Sequence, residues 1–445
     1  MRYDLIIRNG TLVDAGALAH GERCDVGVID GRFAAFGDLG QAEAAEVIDA
    51  RGLTVMPGVM DTQVHFREPG LEHKEDLESG TRGAVLGGIT AVFEMPNTKP
   101  STTDAAALND KLARARGRAW CDHAFYLGAA AENADQLGEL ERLAGCCGVK
   151  VFMGSSTGSL LVADDATLAR VLAHGKRRVA VHSEDEARLN ERKSVIPAEG
   201  AHPRLHPVWR DEETAIRATR RLIAAARAAK RRVHVLHITT AEELDLLAQN
   251  KDICSVECLG HHLTLVAPDC YDRLGSYAQM NPPIRDARHH EALWRAVRDG
   301  VVDILGSDHA PHSRAEKDLP YPKSPSGMPG VQTLLPTMLE HVSKGRLSLA
   351  RLIDLTSAGP VRLFGIANKG RIARGFDADL TIVDLKAQRT ITNAWMAAKC
   401  GWTPYDGMKV TGWPIMTIIR GKLVMRDDQV VGSARGEPMR FYETL

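Results

Sequence analysis

Residues 59–70 read Val-Met-Asp-Thr-Gln-Val-His-Phe-Arg-Glu-Pro-Gly, an apolar run ending in groups that can do chemistry. His65 can hold a metal, and Gln63 offers a neutral amide oxygen beside it. Arg67 stands two positions further on, and a guanidinium is shaped to grip a carboxylate through two parallel hydrogen bonds. The other reading of Arg67 is a loop residue paired with Glu68 or Glu72. Later apolar runs end in His182, in His237 and in Ser307-Asp308-His309. Imidazole plus carboxylate, offered at several strand ends, is a ligand set suited to Zn²⁺, with Mn²⁺ or Co²⁺ less favoured by availability.

Lys150, in Gly148-Val-Lys-Val-Phe-Met153, stands where strand alternation can turn it inward, and a buried ammonium is costly. Two readings stand. Its head can reach the rim of the fold, or its amine can capture CO₂ as a carbamate, an anionic bridge that two metals can share. Asn97, in Met95-Pro-Asn-Thr98, can present an amide to the carboxylate that Arg67 binds or close an Asx-type turn. His309, Glu257, His261 and His262 lie next to the candidate ligands and suit either support of a metal shell or packing.

Eight apolar runs are positioned to carry these groups: 59–65, 89–95, 123–128, 149–153, 179–182, 233–237, 253–258 and 302–307. Helical patterns fall between most of them, as at 104–116, 164–174, 211–230 and 241–249. Strands alternating with helices predict an α/β fold, a (β/α)8 TIM-like barrel with its active site at the carboxyl ends of the strands. The connections 183–210 and 309–330 are long, polar and rich in Pro and charge. They read as lids or as ordered surface excursions. Strand-like segments at 4–8, 24–29 and 32–37, with Asp30-Gly31 as a type I′ turn, are matched near the other end by 379–384, 415–420 and 422–425. Both termini together predict a small β-sandwich module, 1–56 with 369–445, around a barrel of residues 57–368.

The chain has 445 residues, with Lys+Arg 56 against Asp+Glu 57 and a formal net charge of -1. No overall field draws it to nucleic acid or an anionic membrane, so a small-molecule partner is expected. There is no apolar run of bilayer length and no signal-like start, which reads as a cytoplasmic protein. The eight cysteines are scattered without C-x-x-C spacing and read as reduced thiols, Cys254 and Cys258 as buried and inert.

Asp61-Thr-Gln-Val-His-Phe-Arg-Glu-Pro-Gly70, Met95-Pro-Asn-Thr98, Met280-Asn-Pro-Pro-Ile-Arg285 and Ser307-Asp-His-Ala-Pro-His312 resemble the amidohydrolase superfamily and, within it, the dihydroorotases. The resemblance covers nearly the whole chain. It implies that His65 ligates a first metal, that Lys150 is the carboxylated bridge, and that His182 and His237 hold a second metal. It implies that Asp308 binds metal and moves protons, and that Arg67, Asn97, Asn281 and His312 grip substrate. It further implies one or two Zn²⁺ per chain, a homodimer or homotetramer, and the reversible hydrolysis of (S)-dihydroorotate to N-carbamoyl-L-aspartate in pyrimidine synthesis. Two positions depart from the pattern. Gln63 replaces the first imidazole of the usual His-x-His, leaving a weak ligand or none, and Lys150 is the bridge of the hydantoinase-like branch. Hydrolysis of neutral rings such as hydantoins, dihydropyrimidines or allantoin, and a non-catalytic scaffold for a carbamoyltransferase, are the alternatives.

Overall fold

A computed structural model describes every residue except 1, 17, 19, 157–159 and 445. Eight strands pair in parallel and in chain order: Val59–Val64 (β1), Ile89–Glu94 (β2), Asp122–Gly128 (β3), Cys146–Phe152 (β4), Val179–His182 (β5), Val233–Val235 (β6), Cys254–Leu259 (β7) and Ile304–Gly306 (β8). Val64 forms a parallel bridge with His309, and the His65 N–H donates to the His309 carbonyl at 2.7 Å. The two ends of the sheet thus meet, and the barrel is nearly closed. Every residue of β4 is buried, as expected for a strand covered on both faces.

A register shift in β4 precedes its lysine. Phe125 pairs with Cys146 and Tyr126 with Gly148, so Cys147 is the extra residue of a bulge, with Gly148 at φ 147°. Val149 and Val151 then join the apolar layer that includes helical residues such as Leu168 and Leu222. Lys150 and Phe152 turn to the cavity inside the mouth.

The helices Ala105–Ala115, Asp165–Ala173, Glu212–Ala229 and Ala241–Ala248 lie where the periodicity predicts them. Each is started by a side chain that accepts a backbone N–H, from Asp104, Asp164, Asp211 and Thr240 respectively. The sequence reading missed Leu77–Leu86, whose Ser, Gly, Thr and Ala residues are buried along with its leucines, so that only the Glu78–Arg82 pair marks a polar face. The connection 183–210 is an ordered excursion with the short helices Glu186–Arg192 and His206–Trp209. Within 309–330, Arg314–Lys317 is a single turn started by a Ser313/Glu316 capping box. No helix of the described residues is long and apolar enough to cross a membrane.

Segments from both ends of the chain form the β module, after which residues 436–441 return to the barrel, where the His123 N–H donates to the Glu437 carbonyl at 3.0 Å and Met439 and Phe441 pack against Phe93 and Tyr126. One sheet has four strands, from Tyr3–Arg8 to Ala44–Asp49. The other runs from Glu22–Arg23 and Thr11–Leu12 through Thr54–Pro57 to Leu380–Thr390, Lys409–Ile419 and Lys422–Arg426, ending at Gln429–Val430. Leu5, Val26 and Phe33 of the first share one apolar cluster with Val55, Leu380 and Ile418 of the second. The Asp30-Gly31 turn has both residues at positive φ, 50° and 73°, as type I′ requires.

A buried ion cluster joins this module to the barrel. The Lys369 ammonium contacts Asp122 of β3 at 2.7 Å, Asp377 at 3.2 Å and also Asp379. Burial opposes its charge, but the three carboxylates outweigh burial and raise its pKa. Lys369→Met would strand those carboxylates in the interior, costing about 3–5 kcal/mol. The expected result is a lowered urea midpoint; an unchanged midpoint would show that the cluster does not hold the module in place.

Candidate active site

Beyond the carboxyl ends of the strands, Gln63, His65, Arg67, Lys150, His182, His237, Asn281 and Asp308 line one cavity, with Phe152, Ser156, Ala310, Ser326 and Gly327 filling the wall between them. Asn97 and His312 are buried just behind it and are absent from its lining. Eight of the ten residues proposed from the sequence as metal ligands or substrate contacts therefore meet at the predicted end of the barrel.

The ligand candidates fall into two pairs. His182 Nδ1 lies 3.1 Å from His237 Nε2, and His65 Nε2 lies 3.1 Å from Asp308 Oδ1. That separation suits two donors sharing one cation at bond lengths of about 2.0–2.2 Å. The outer nitrogens explain why the inner ones are available. His182 Nε2 faces Glu184 Oε2 at 2.8 Å, and His65 Nδ1 faces Asn97 Oδ1 at 2.8 Å. Both partners are oxygen acceptors, so the outer nitrogens carry the protons and the inner ones present lone pairs. For His65 this leaves a lone pair facing a carboxylate oxygen, an arrangement that a cation would relieve. Burial lowers the pKa of His65, His182 and His237 and favours the neutral form a metal needs.

Among the described residues, no group of three or more His, Cys, Asp or Glu side chains is arranged to hold a metal. Each pair lacks a third ligand of those types, and Lys150 is the further candidate lining the same cavity. It is buried, with Nζ 4.5 Å from the centre of the Phe152 ring. Burial pushes its pKa down to about 7, with Asp308 and Glu257 acting in the other direction. A large share of its amine is thus neutral near neutrality, which carbamate formation requires. The donor set fits a metal centre on condition that Lys150 carries an anionic group.

Gln63 completes this end. Its Nε2 donates to Asp308 Oδ1 at 3.1 Å, and its buried Oε1 meets no hydrogen-bond partner. An amide here holds the aspartate by a hydrogen bond where an imidazole would offer a lone pair.

Arg67 is 1% exposed, and burial lowers its pKa to about 10, so it remains charged at neutral pH. Its Nε donates to the Pro311 carbonyl at 3.3 Å, while Nη1 has no partner. It forms no ion pair with Glu68, which is held by Arg118 at 2.8 Å. The surface-pair reading of Arg67 is therefore overturned. A desolvated guanidinium with no carboxylate in direct contact, lining a cavity, has a free donor that an anion can satisfy. Backbone geometry marks the same residues: Arg67, His237 and Asp308 sit at φ 65°, 40° and 46°, a left-handed conformation costing roughly 1–3 kcal/mol each.

The amidohydrolase family model matches residues 54–424. The chain belongs to the amidohydrolase family. Among curated relatives of this amidohydrolase, a dihydroorotase from Methanosarcina acetivorans is 36% identical over 409 residues, 88% of this chain and 86% of that protein. An L-hydantoinase from Paenarthrobacter aurescens is 33% identical over 447 residues, 96% of each chain. Among solved structures, the L-hydantoinase from Arthrobacter aurescens superposes with a TM-score of 0.92 at 31% identity, covering 98% of this chain and 99% of its own.

Around the amidohydrolase site, several polar residues act on the lining groups from behind. His312 Nε2 donates to the Ser326 carbonyl at 3.0 Å, and its Nδ1 accepts from Lys74 at 3.1 Å. It thus ties Lys74 to the Ser326 backbone, with its Nε2 3.3 Å from Arg67 Nη2, instead of lining the cavity. His309 Nδ1 accepts the Gly330 N–H at 3.0 Å and fixes the far end of the 309–330 connection. Glu257 is fully buried under His237, its pKa raised to about 8 by burial, and His261 packs on Tyr405. Cys254 and Cys258 are buried free thiols, as expected. Glu184, Arg210 and Lys74 were not anticipated. Glu184 stands two residues after His182, the one sequence signal that could have exposed it.

Proposed function

We propose that this amidohydrolase opens and closes a cyclic amide that bears a carboxylate, interconverting (S)-dihydroorotate and N-carbamoyl-L-aspartate as in pyrimidine synthesis. The observation that carries this reading is the Arg67 guanidinium, buried at the cavity and without a carboxylate of its own. A site for neutral rings has no reason to keep a desolvated charge there. In this reading the barrel of residues 57–368 holds the whole reaction site, and the terminal module braces it.

His182 and His237 would hold zinc at one end, and His65 with Asp308 at the other. Lys150 would serve both: its neutral amine forms an N–C bond to CO₂, releases a proton to solvent and becomes an anionic carbamate. Zinc bound there supplies a Lewis acid for the ring carbonyl and lowers the pKa of the attacking water. Asp308 takes the proton from that water and delivers it to the leaving ring nitrogen, acting first as base and then as acid. Arg67 fixes the substrate carboxylate, and Asn281, whose Oδ1 is held by His206 at 2.9 Å, offers its amide N–H to the ring. Asn97 keeps the His65 proton on Nδ1.

Ring closure tests the substrate assignment. N-carbamoyl-L-aspartate should cyclise, whereas N-carbamoyl-β-alanine, lacking the carboxylate next to nitrogen, should not; equal rates would move the enzyme to neutral cyclic amides. The likeness to hydantoinases and the lysine at position 150 favour that second reading. Gln63 gives a separate test of metal binding. Gln63→His should raise the zinc bound per chain, because an imidazole adds a lone pair beside His65. Unchanged zinc content would mean that Gln63 does not weaken the first site.

A further inference from the structure

The excursion 183–210 looks from its sequence like a lid, but its two ends are locked together beneath the site. Glu184 begins it and Arg210 ends it, and both are almost completely buried. Arg210 donates from Nε to both Glu184 oxygens at 3.0 and 3.1 Å, and from Nη2 to Oε2 at 2.5 Å. Its Nη2 also reaches the Ser155 carbonyl, in the segment following β4, at 2.8 Å. The Glu184 carboxylate touches His182 Nε2 at 2.8 Å. One ion pair therefore joins the segment after the Lys150 strand, both ends of the excursion and the imidazole that closes β5.

We propose that the Glu184–Arg210 pair is a positioning device for His182. It fixes the ring with its proton on Nε2 and its Nδ1 lone pair toward His237. The role in metal binding rests on the functional reading above, but the tautomer does not. Glu184 accepts the Nε2 proton, and a carboxylate can only accept, so the opposite tautomer would place a lone pair against a negative oxygen. Arg210 holds the carboxylate from the far side and prevents it from rotating away. The excursion is thus pinned at both ends, beside β5 and the segment after β4. It contrasts with a lid, whose ends must allow movement.

The test must separate this role from simple stabilisation, since Glu184→Gln alone strands the Arg210 charge. The double variant Glu184→Gln/Arg210→Met removes both charges, a replacement that buried ion pairs often tolerate without loss of fold. In ¹⁵N spectra of histidine-labelled, metal-free protein, His182 should be the Nε2–H tautomer in the native chain and a mixture in the double variant. Zinc affinity, measured by competition with a chelator, should fall by roughly 10- to 100-fold. Arg210→Lys keeps the charge and should restore most of that affinity. A folded double variant with the native tautomer and native zinc affinity would overturn the proposal. A native chain that shows the locked tautomer yet binds no zinc would retain the positioning role and refute the metal reading instead. If the double variant does not fold, the metal-free native chain and Arg210→Lys decide: the Nε2–H tautomer of His182 in both supports the device, and a mixed or Nδ1–H tautomer in the native chain refutes it.

Discussion

Arg67→Met should lower kcat/KM for dihydroorotate by roughly 30- to several-thousand-fold, nearly all of it through KM. Removing one partner of a buried, hydrogen-bonded charge pair costs about 2–5 kcal/mol, and each 1.36 kcal/mol is tenfold in rate. The substrate carboxylate is present equally in the ground state and the transition state. Its loss of a partner is therefore a loss of uniform binding, which appears in KM. The same substitution should leave the hydrolysis of dihydrouracil unchanged or improved, because it removes a desolvated charge that the neutral ring cannot satisfy. Steady-state kinetics with both rings check this. A variant that turns over dihydroorotate like the native enzyme would sink the carboxylate assignment.

Lys150→Ala should abolish activity, by a factor on the order of 1,000 or more, and strip the chain of most of its metal. The two donor pairs would then each be left without a third ligand, and the several kcal/mol that a Lewis acid contributes would be lost. Because alanine leaves the volume of the lysine side chain empty, acetate or propionate should enter, supply a carboxylate and restore part of both metal and activity. Lys150→Met fills that volume and should not be rescued. Zinc analysis with activity measured against added carboxylate separates these outcomes, and Lys150→Ala with native zinc content would remove Lys150 from the site.

Much of this architecture was legible because it follows from local rules. Apolar runs punctuated by His or Asp become strands that end at one mouth, Asp30-Gly31 becomes a hairpin because both residues accept positive φ, and Asp or Thr before a helical pattern becomes its cap. Alternation over 149–153 also turns Lys150 inward as read, because the bulge at Cys147 lies before that run and leaves its period intact. The supporting contacts were not legible at all. Arg210 meets Glu184 across 26 residues, Asn97 meets His65 across 32, and Lys74 meets His312 across 238, and no spacing rule links such partners. For the same reason Asn97 and His312 read as substrate contacts, whereas the folded chain turns them toward His65, Lys74 and the Ser326 backbone. Helix Leu77–Leu86 escaped because it is buried along most of its circumference and its polar stripe is reduced to Glu78 and Arg82.

Selection of a carboxylate-bearing ring by a buried guanidinium at a metal-loaded barrel mouth is the proposed basis of specificity. It is tested most directly by measuring kcat/KM for dihydroorotate and for dihydrouracil on one preparation, purified with zinc and bicarbonate and with its zinc counted. Bound zinc and a strong preference for dihydroorotate are expected. Bound zinc with an equal or greater rate on dihydrouracil would contradict that selection.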